Sequence, residues 1–380
     1  MNESLTAPRL YGRLGVDPPP ILDVRNADEF GRWHIDGPRP LDLLNVPYFE
    51  FIEREEASVR RVSDWLAGRP GEFVVVCAKG DSSAFVADLL RSRGLAAMNL
   101  EGGMVAWGLA TVFRPLSPAG AVRVWQGLRF GRGCLSYVVS VDGDAVVVDP
   151  PRGIDDFQRF LDAERLRLRG VLETHLHADH VSGAPALARA AGVGCHVNAA
   201  DFRGAAFSFE PVTDGVRLRL GGVEMLPVVP MHTPGHTPGS TTFLVNDRWL
   251  LTGDTVFVDG LGRPDLGGRT AEWARDLFRT LDRRLARLPA DLTVLPAHSG
   301  GPQEVGPTGV VAARLGDAIA ANVVLTRGEE SFVREAEASA GMAPPQYGAI
   351  REINLHHPPV AEEELIELEL GRNQCAMSRR

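Results

Sequence analysis

The sequence predicts two α/β units in tandem: a parallel sheet with helices on both faces, then two sheets sandwiched between outer helices. Three observations carry this expectation. The chain has 380 residues, 44% of them apolar and 23% charged, enough to fill two soluble globular cores. Between Ile21 and Trp107, short β-branched runs alternate with helical stretches. Beyond Val122, many short strands with tight turns surround two strand–helix steps.

In the first unit, Ile21–Val24 and Phe73–Val76 read as strands buried on both faces, because their apolar runs do not alternate. Ser83–Arg93 has helical spacing and stops at Gly94. Strand alternating with helix gives a mainly parallel sheet. Residues 1–112 make up this unit, and Phe113–Gly120, with three of its residues Pro or Gly, reads as a linker (113–120). The second unit spans 121–304. Its expected strands are Val122–Phe130, Cys134–Val141 and Ala145–Val148, with a turn at Asp142–Gly143. A helix near Asp155–Arg165, a strand at Val171–Leu172 and a helix from Val181 follow. Strands at Val216–Leu220, Val223–Val228, Thr241–Val245 and Trp249–Leu251, a helix at Ala271–Arg287 and a strand at Leu292–Leu295 complete it. Residues 305–380 are helical and acidic, with Glu362–Glu364 near the end, and extend the second unit.

The formal charge of −9 argues against nucleic acid or an anionic membrane as partner. Arg165, Arg167 and Arg169 read as a solvated helix face. No leader pattern and no apolar run long enough for a membrane span are present, which points to the cytoplasm. Cys77, Cys134, Cys195 and Cys375 form no close pair and suit reduced thiols.

Val74-Val75-Val76-Cys77-Ala78-Lys79-Gly80-Asp81-Ser82-Ser83 puts a thiol between a buried strand and a helix. Backbone N–H groups and the helix N-terminus there favour an anion, so they can hold a persulfide or a sulfur oxyanion. Lys79, Gly80, Ser82 and Ser83 would form the anion loop, Gly80 by letting it curl and Lys79 by adding positive charge. Asp23-Val24-Arg25, Glu29-Phe30, Trp33-His34-Ile35-x-Gly37, this loop and Leu100-x-Gly102-Gly103-Met104-x-x-Trp107 together resemble a single-domain rhodanese over about residues 20–110. That resemblance makes Cys77 the sulfur-accepting nucleophile. Ser82 stands where many rhodaneses have a basic residue or Thr, which leaves the substrate preference open.

Thr174-His175-Leu176-His177-Ala178-Asp179-His180 sets three imidazoles and a carboxylate within six residues, directly after a strand. Such density suits a borderline divalent metal that neutralises it. Thr233-Pro234-Gly235-His236, Thr252-Gly253-Asp254 and Pro296-Ala297-His298 present three more donors at turns and strand ends, and Asp149 would buttress them. These ordered motifs resemble the metallo-β-lactamase superfamily, whose fold is an αββα sandwich. With Glu173, Gly183, Gly262-Arg263-Pro264-Asp265-Leu266, Asn322, Glu330-Ser331-Phe332, Pro344-Pro345 and Asn354, they look like its persulfide dioxygenase branch. The sequence departs from that branch where its Cys after the last Asn is missing and where Ser299 follows the last motif His.

By that resemblance one Fe(II) per chain is held by His175, His236 and Asp254. His177, Asp179, His180, His298 and Asp149 then orient and tune the ligands, and Arg263 is a candidate substrate contact. The expected activity is oxidation of glutathione persulfide, or a similar small persulfide, by O2 to sulfite and thiol. Cys77 would exchange sulfane sulfur with thiosulfate or sulfite. Two alternatives stay open: a two-zinc hydrolase of the glyoxalase II type, in which the same residues complete a second metal site, and a rhodanese domain that only carries or senses persulfide. A homodimer also stays open.

Overall fold

The computed structural model describes residues 4–69, 71–116, 120–218, 227–301, 304–322, 326–341, 343–371 and 375. The chain divides into two compact units. One comprises 1–112 with the short pieces 129–132 and 370–372, and the other comprises 113–128, 133–369 and 373–380.

The first unit is built on five strands: β1 (Ser4–Leu5), β2 (Ile21–Asp23), β3 (Leu43–Asn45), β4 (Phe73–Val76) and β5 (Ala97–Leu100). Their order is β1-β5-β4-β2-β3, and every neighbouring pair is parallel. Side chains of a strand alternate between faces, and here both faces are dry. Leu22 and Val75 pack with Phe51, Val59, Val62, Val86, Ala87 and Leu90. Ile21, Val74 and Val76, from the opposite side of the pleat, are equally buried. The helix expected near Ser83–Arg93 runs from Asp81 to Ser92.

The second unit holds two sheets. The first has β6 (Thr111–Pro115), β7 (Val122–Arg129), β8 (Cys134–Val141), β9 (Asp144–Val148), β10 (Arg167–Leu172), β11 (Gly194–Val197) and β12 (Glu210–Pro211), laid side by side in reverse chain order. The second has β13 (Val228–His232), β14 (Thr241–Val245), β15 (Trp249–Gly253), β16 (Thr293–Pro296) and β17 (Ala313–Arg314), in chain order. Each sheet has its own helical layer. Phe157, Leu161, Ala184 and Leu187, from helices Ile154–Ala163 and Ala184–Ala191, pack on Val138, Val147 and Val171. Ala274, Leu277, Leu281, Ala318, Phe332 and Val333, from three further helices, pack on Leu250 and Val294. Fully burying each Phe or Leu stabilises the unit by about 1.5–3 kcal/mol, so these two layers hold the sandwich together. The sheets meet at hydrogen bonds such as Leu135 N to Ala297 O (2.7 Å) and Thr241 N to Thr174 O (2.8 Å).

Several expectations change. Arg167 and Arg169 are not on a helix face, because the helix ends at Ala163 and both residues belong to β10. Two residues apart on a strand, they share one face and close on Asp144 at 2.7 and 2.8 Å. Phe113–Pro115, expected in a linker, finish strand β6, while 117–119 lie outside the described residues. The strand expected at Val216–Leu220 is absent from 216–218, and 219–226 lie outside the described residues. The helix expected from Val181 begins at Ala184, since a Cβ on Gly183 would collide with Pro151 O and 181–183 stay in a loop. Among the described residues no helix is long and apolar enough to cross a membrane.

Candidate metal centre and cysteine loop

The segment after β10 carries His175, His177, Asp179 and His180, all buried. Asp149 follows β9 with φ at 51° and turns its carboxylate onto Thr174, accepting from Thr174 N at 2.7 Å and from Thr174 Oγ1 at 2.8 Å. The Thr174 hydroxyl has only one proton, and Asp149 takes it. His175 Nδ1, 2.9 Å away, must therefore be the donor to Thr174 Oγ1. That tautomer leaves a lone pair on His175 Nε2. His236, on the Pro-Gly turn after β13, donates Nδ1–H to Arg263 O at 2.9 Å and likewise frees Nε2. Asp254, just after β15, accepts from His298 Nδ1 at 2.6 Å through Oδ1 and leaves Oδ2 for the centre. Asp254 Oδ2 lies 3.8 Å from His175 Nε2 and 3.5 Å from His236 Nε2.

These three groups could hold one ion, their donor atoms all lying within 4.8 Å of one another. His175 Nε2 and Asp254 Oδ2 are buried without a hydrogen-bond partner. Each such atom costs roughly 1–3 kcal/mol if left bare, a cost a bound cation removes. The charge states agree with the geometry. Burial, reinforced by His177 and His236, pushes His175 well below the usual imidazole range, and burial also lowers His236. Burial would raise Asp254, but His298 outweighs it and keeps the carboxylate ionised. Two neutral imidazoles and an anion therefore face one point.

A second cluster adjoins the first: Cys134, Asp179, His180 and His298. His298 Nε2 stands 2.8 Å from Asp179 Oδ2, close enough for an ion pair but off hydrogen-bond alignment. His180 Nδ1 stands 3.2 Å from Asp179 Oδ1. Burial alone would raise the Cys134 thiol, but a protonated His180 brings it down to about 6. His177 is held differently. Its Nε2 reaches Glu173 Oε2 at 3.1 Å and Asp149 Oδ1 at 3.3 Å, leaving Nδ1 as the unpartnered ring atom. The Arg263 guanidinium is engaged by Asp265 at 2.6 and 2.7 Å.

In the first unit, Cys77 directly follows β4 and is buried. Gly80 N donates to its Sγ at 3.0 Å, and Ser83 Oγ lies 3.2 Å from the same sulfur. Gly80, at φ 102°, is the N-cap of the Asp81–Ser92 helix, and a Cβ there would sit 2.8 Å from Gly102 N. Met104 N and Val105 N donate to Cys77 O and Ala78 O at 2.9 and 3.0 Å, so the Gly102-Gly103 turn anchors the loop. Lys79 is exposed and Ser82 half-buried at its rim.

The rhodanese-like domain model matches residues 6–110, and the metallo-beta-lactamase superfamily model matches residues 129–298. The chain is 36% identical over 197 residues to an uncharacterized protein of Mycobacterium tuberculosis, covering 43% of this chain and 85% of that one. This chain belongs to the metallo-beta-lactamase superfamily and carries a rhodanese-like domain ahead of that fold. Within the superfamily it is 36% identical over 179 residues to the hydroxyacylglutathione hydrolase of Anaeromyxobacter dehalogenans, covering 46% of this chain and 65% of that one. It is also 32% identical over 161 residues to the mitochondrial persulfide dioxygenase ETHE1 of Homo sapiens, covering 41% and 59%.

As a superfamily member the chain has features its sequence motifs did not reveal. Cys134 and Cys375, marked by the sequence only as reduced thiols, approach the centre, Cys375 within 4.8 Å of donor atoms of Asp254 and His298. Asn354 donates to His177 O and to His180 O, both at 2.9 Å, and accepts from Ser182 N at 2.8 Å. Glu369 accepts from Val181 N at 2.9 Å while paired with Arg152. The C-terminal helices thus clamp the backbone of the candidate metal-binding segment. A lone Asn or Glu in an acidic helical stretch gives no signal of such a distant contact. Only the order of Asn354 in the resemblance hinted at it.

Proposed function

We propose that this protein is an iron-dependent persulfide dioxygenase whose rhodanese-like domain exchanges sulfane sulfur at Cys77. The reading rests above all on the three-donor group His175, His236 and Asp254. Two imidazoles and one carboxylate leave other positions of an ion open, as suits non-haem Fe(II) oxygenases. When bound, Fe(II) supplies the redox chemistry that brings O2 and a persulfide sulfur together. The chain's own residues fix the donors: Thr174 and Arg263 O set the two imidazole tautomers, and His298 holds Asp254 in one rotamer. The balanced reaction is RSSH + O2 + H2O giving RSH, sulfite and two protons. The rhodanese-like domain supports the reading, since it binds or delivers the same class of sulfur, as does the likeness to the human dioxygenase. Glutathione is the thiol we favour, and the reducing cytoplasm the compartment, where four free thiols persist.

One observation favours a second reading. The cluster Cys134, Asp179, His180 and His298 could hold another ion, which suits a two-zinc hydrolase, a reading that the likeness to a hydroxyacylglutathione hydrolase supports. Oxygen uptake with glutathione persulfide, combined with metal analysis of native protein, decides between them. About one iron per chain and persulfide-dependent sulfite formation are expected. Two zinc ions per chain with hydrolysis of S-lactoylglutathione and no oxygen uptake would overturn the proposal.

A further inference from the structure

The surroundings of Cys77 contain one proton too few. Ser83 Oγ lies 3.2 Å from Cys77 Sγ, 3.1 Å from Gly80 O and 2.7 Å from Asn99 Oδ1. A hydroxyl donates once and accepts through its lone pairs, so when Cys77 is a thiolate or a persulfide, with no hydrogen on Sγ, three acceptors compete for a single hydrogen. Gly80 O is already served by Ala84 N at 3.0 Å. Cys77 Sγ and Asn99 Oδ1 remain in competition. Ser83 is fully buried, so water does not relieve it. Asn99 has no other side-chain hydrogen bond among the described residues, and turning its amide by half a turn breaks nothing. Its Nδ2 then donates to Ser83 Oγ, and the Ser83 proton is released to the sulfur. The placement comes from the fold: β5 runs parallel to β4 with Asn99 opposite Val75, two residues before Cys77, and Ser83 sits in the first turn of the following helix.

We propose that Asn99 and Ser83 form a donor relay onto Cys77, in which Ser83 touches the reacting sulfur and Asn99 is a positioning residue. The inference rests on the reading of Cys77 as a sulfur carrier. When a nucleophile such as cyanide attacks the terminal sulfur of the Cys77 persulfide, a carbon–sulfur bond forms and the sulfur–sulfur bond breaks. The electron pair of that bond stays on Cys77 Sγ as a thiolate. The Ser83 O–H and Gly80 N–H receive that charge as it develops, and Asn99 keeps the hydroxyl proton from turning away. No oxidant or reductant is required, since sulfane sulfur moves as a neutral atom.

The test uses the full chain loaded with thiosulfate and discharged with cyanide in a single turnover. Ser83→Ala should slow thiocyanate release about tenfold, the worth of one hydrogen bond to a charged sulfur. Asn99→Asp, which can only accept, should slow it about as much although the hydroxyl is retained. In unloaded protein both changes should move the pH profile of Cys77 alkylation by iodoacetamide towards alkaline pH. Thiocyanate release at the native rate in Ser83→Ala, or faster release in Asn99→Asp, would overturn the relay. If native protein takes up no sulfur on Cys77, the sulfur-carrier reading fails, and the alkylation profiles still decide whether the relay exists.

Discussion

The two units meet the same chemical problem, holding reactive groups in a buried place, with opposite means. Around Cys77 the backbone builds the cradle, with the Gly80 N–H on the sulfur at a helix start and glycines that let two loops touch, and Ser83 adds one hydroxyl. Around His175 side chains do it, each donor held by a further residue behind it. A backbone cradle suits a reactant that arrives as an anion and leaves again. A side-chain cluster suits a cation that stays, because only imidazole and carboxylate give it fixed ligands. Apart from the Ser83–Asn99 pair, the first site should therefore be sensitive to main-chain geometry, and the second to side-chain identity.

The largest effects should come from removing donors in the second unit. His175→Ala, His236→Ala and Asp254→Ala should each abolish iron binding and reduce persulfide-dependent oxygen uptake to background. Sulfur transfer from thiosulfate should persist in all three, because the Cys77 loop draws on none of these residues. Iron content by elemental analysis and thiocyanate release, measured on the same preparation, give both answers. Loss of both activities together would break the division between the sites.

The reciprocal change is Cys77→Ser. It keeps the size of the side chain but cannot carry a persulfide, so transfer from thiosulfate should vanish while oxidation of supplied glutathione persulfide continues. Mass spectrometry after thiosulfate should find one added sulfur, about 32 Da, on Cys77 of the native protein. Cys134 is the informative rival, its thiol lowered to about 6 within the metal centre. An adduct there would show that sulfur also reaches the second unit.

Legibility in sequence followed the same division. The candidate metal donors were legible because HxHxDH packs improbable density into six residues, and because His236, Asp254 and His298 each follow a strand or a Pro-Gly turn. The alternating strand–helix text predicted the parallel sheet of the first unit, and the short strands with tight turns predicted the two sheets of the second. What stayed hidden depends on contacts distant in the chain. Asn354 reaches the metal segment across 172 to 177 residues, and Cys375 reaches Asp254 and His298 from the far end. No local period announces such a contact. Arg167 and Arg169 misled for another reason: residues two apart suit a strand face, but three nearby arginines also suit a solvated helix.

A glycine separates the two strategies at intermediate cost. Gly103 has φ at 55°, and a Cβ there would collide with Cys77 O. Gly103→Ala should cost roughly 2–3 kcal/mol, combining left-handed strain with that clash, and should impair sulfur transfer. Gly143, in the turn between β8 and β9, has φ at 85° but open space around it, so Gly143→Ala should cost only about 1 kcal/mol. Chemical denaturation of both variants measures the difference. Equal costs would show that close approach at the cysteine loop matters less than backbone conformation.

The smallest effect, and the sharpest test of how the second site is built, belongs to His298. In the three-donor arrangement it never touches the iron. It acts through its 2.6 Å hydrogen bond to Asp254 Oδ1, which fixes the carboxylate so that Oδ2 faces the two imidazoles. Partners of that kind are worth about 10- to 100-fold in metal affinity, far less than a ligand. His298→Ala should therefore keep iron at high protein concentration but release it to a chelator about tenfold more readily. Asn354→Ala provides the control, since it loosens the segment from His177 to Ser182 without touching Asp254. If His298→Ala instead loses metal as completely as His175→Ala, then His298 is itself a ligand. The neighbouring cluster with Asp179 and His180 would then be a working second metal site, and the two-zinc hydrolase reading would take the place of the dioxygenase.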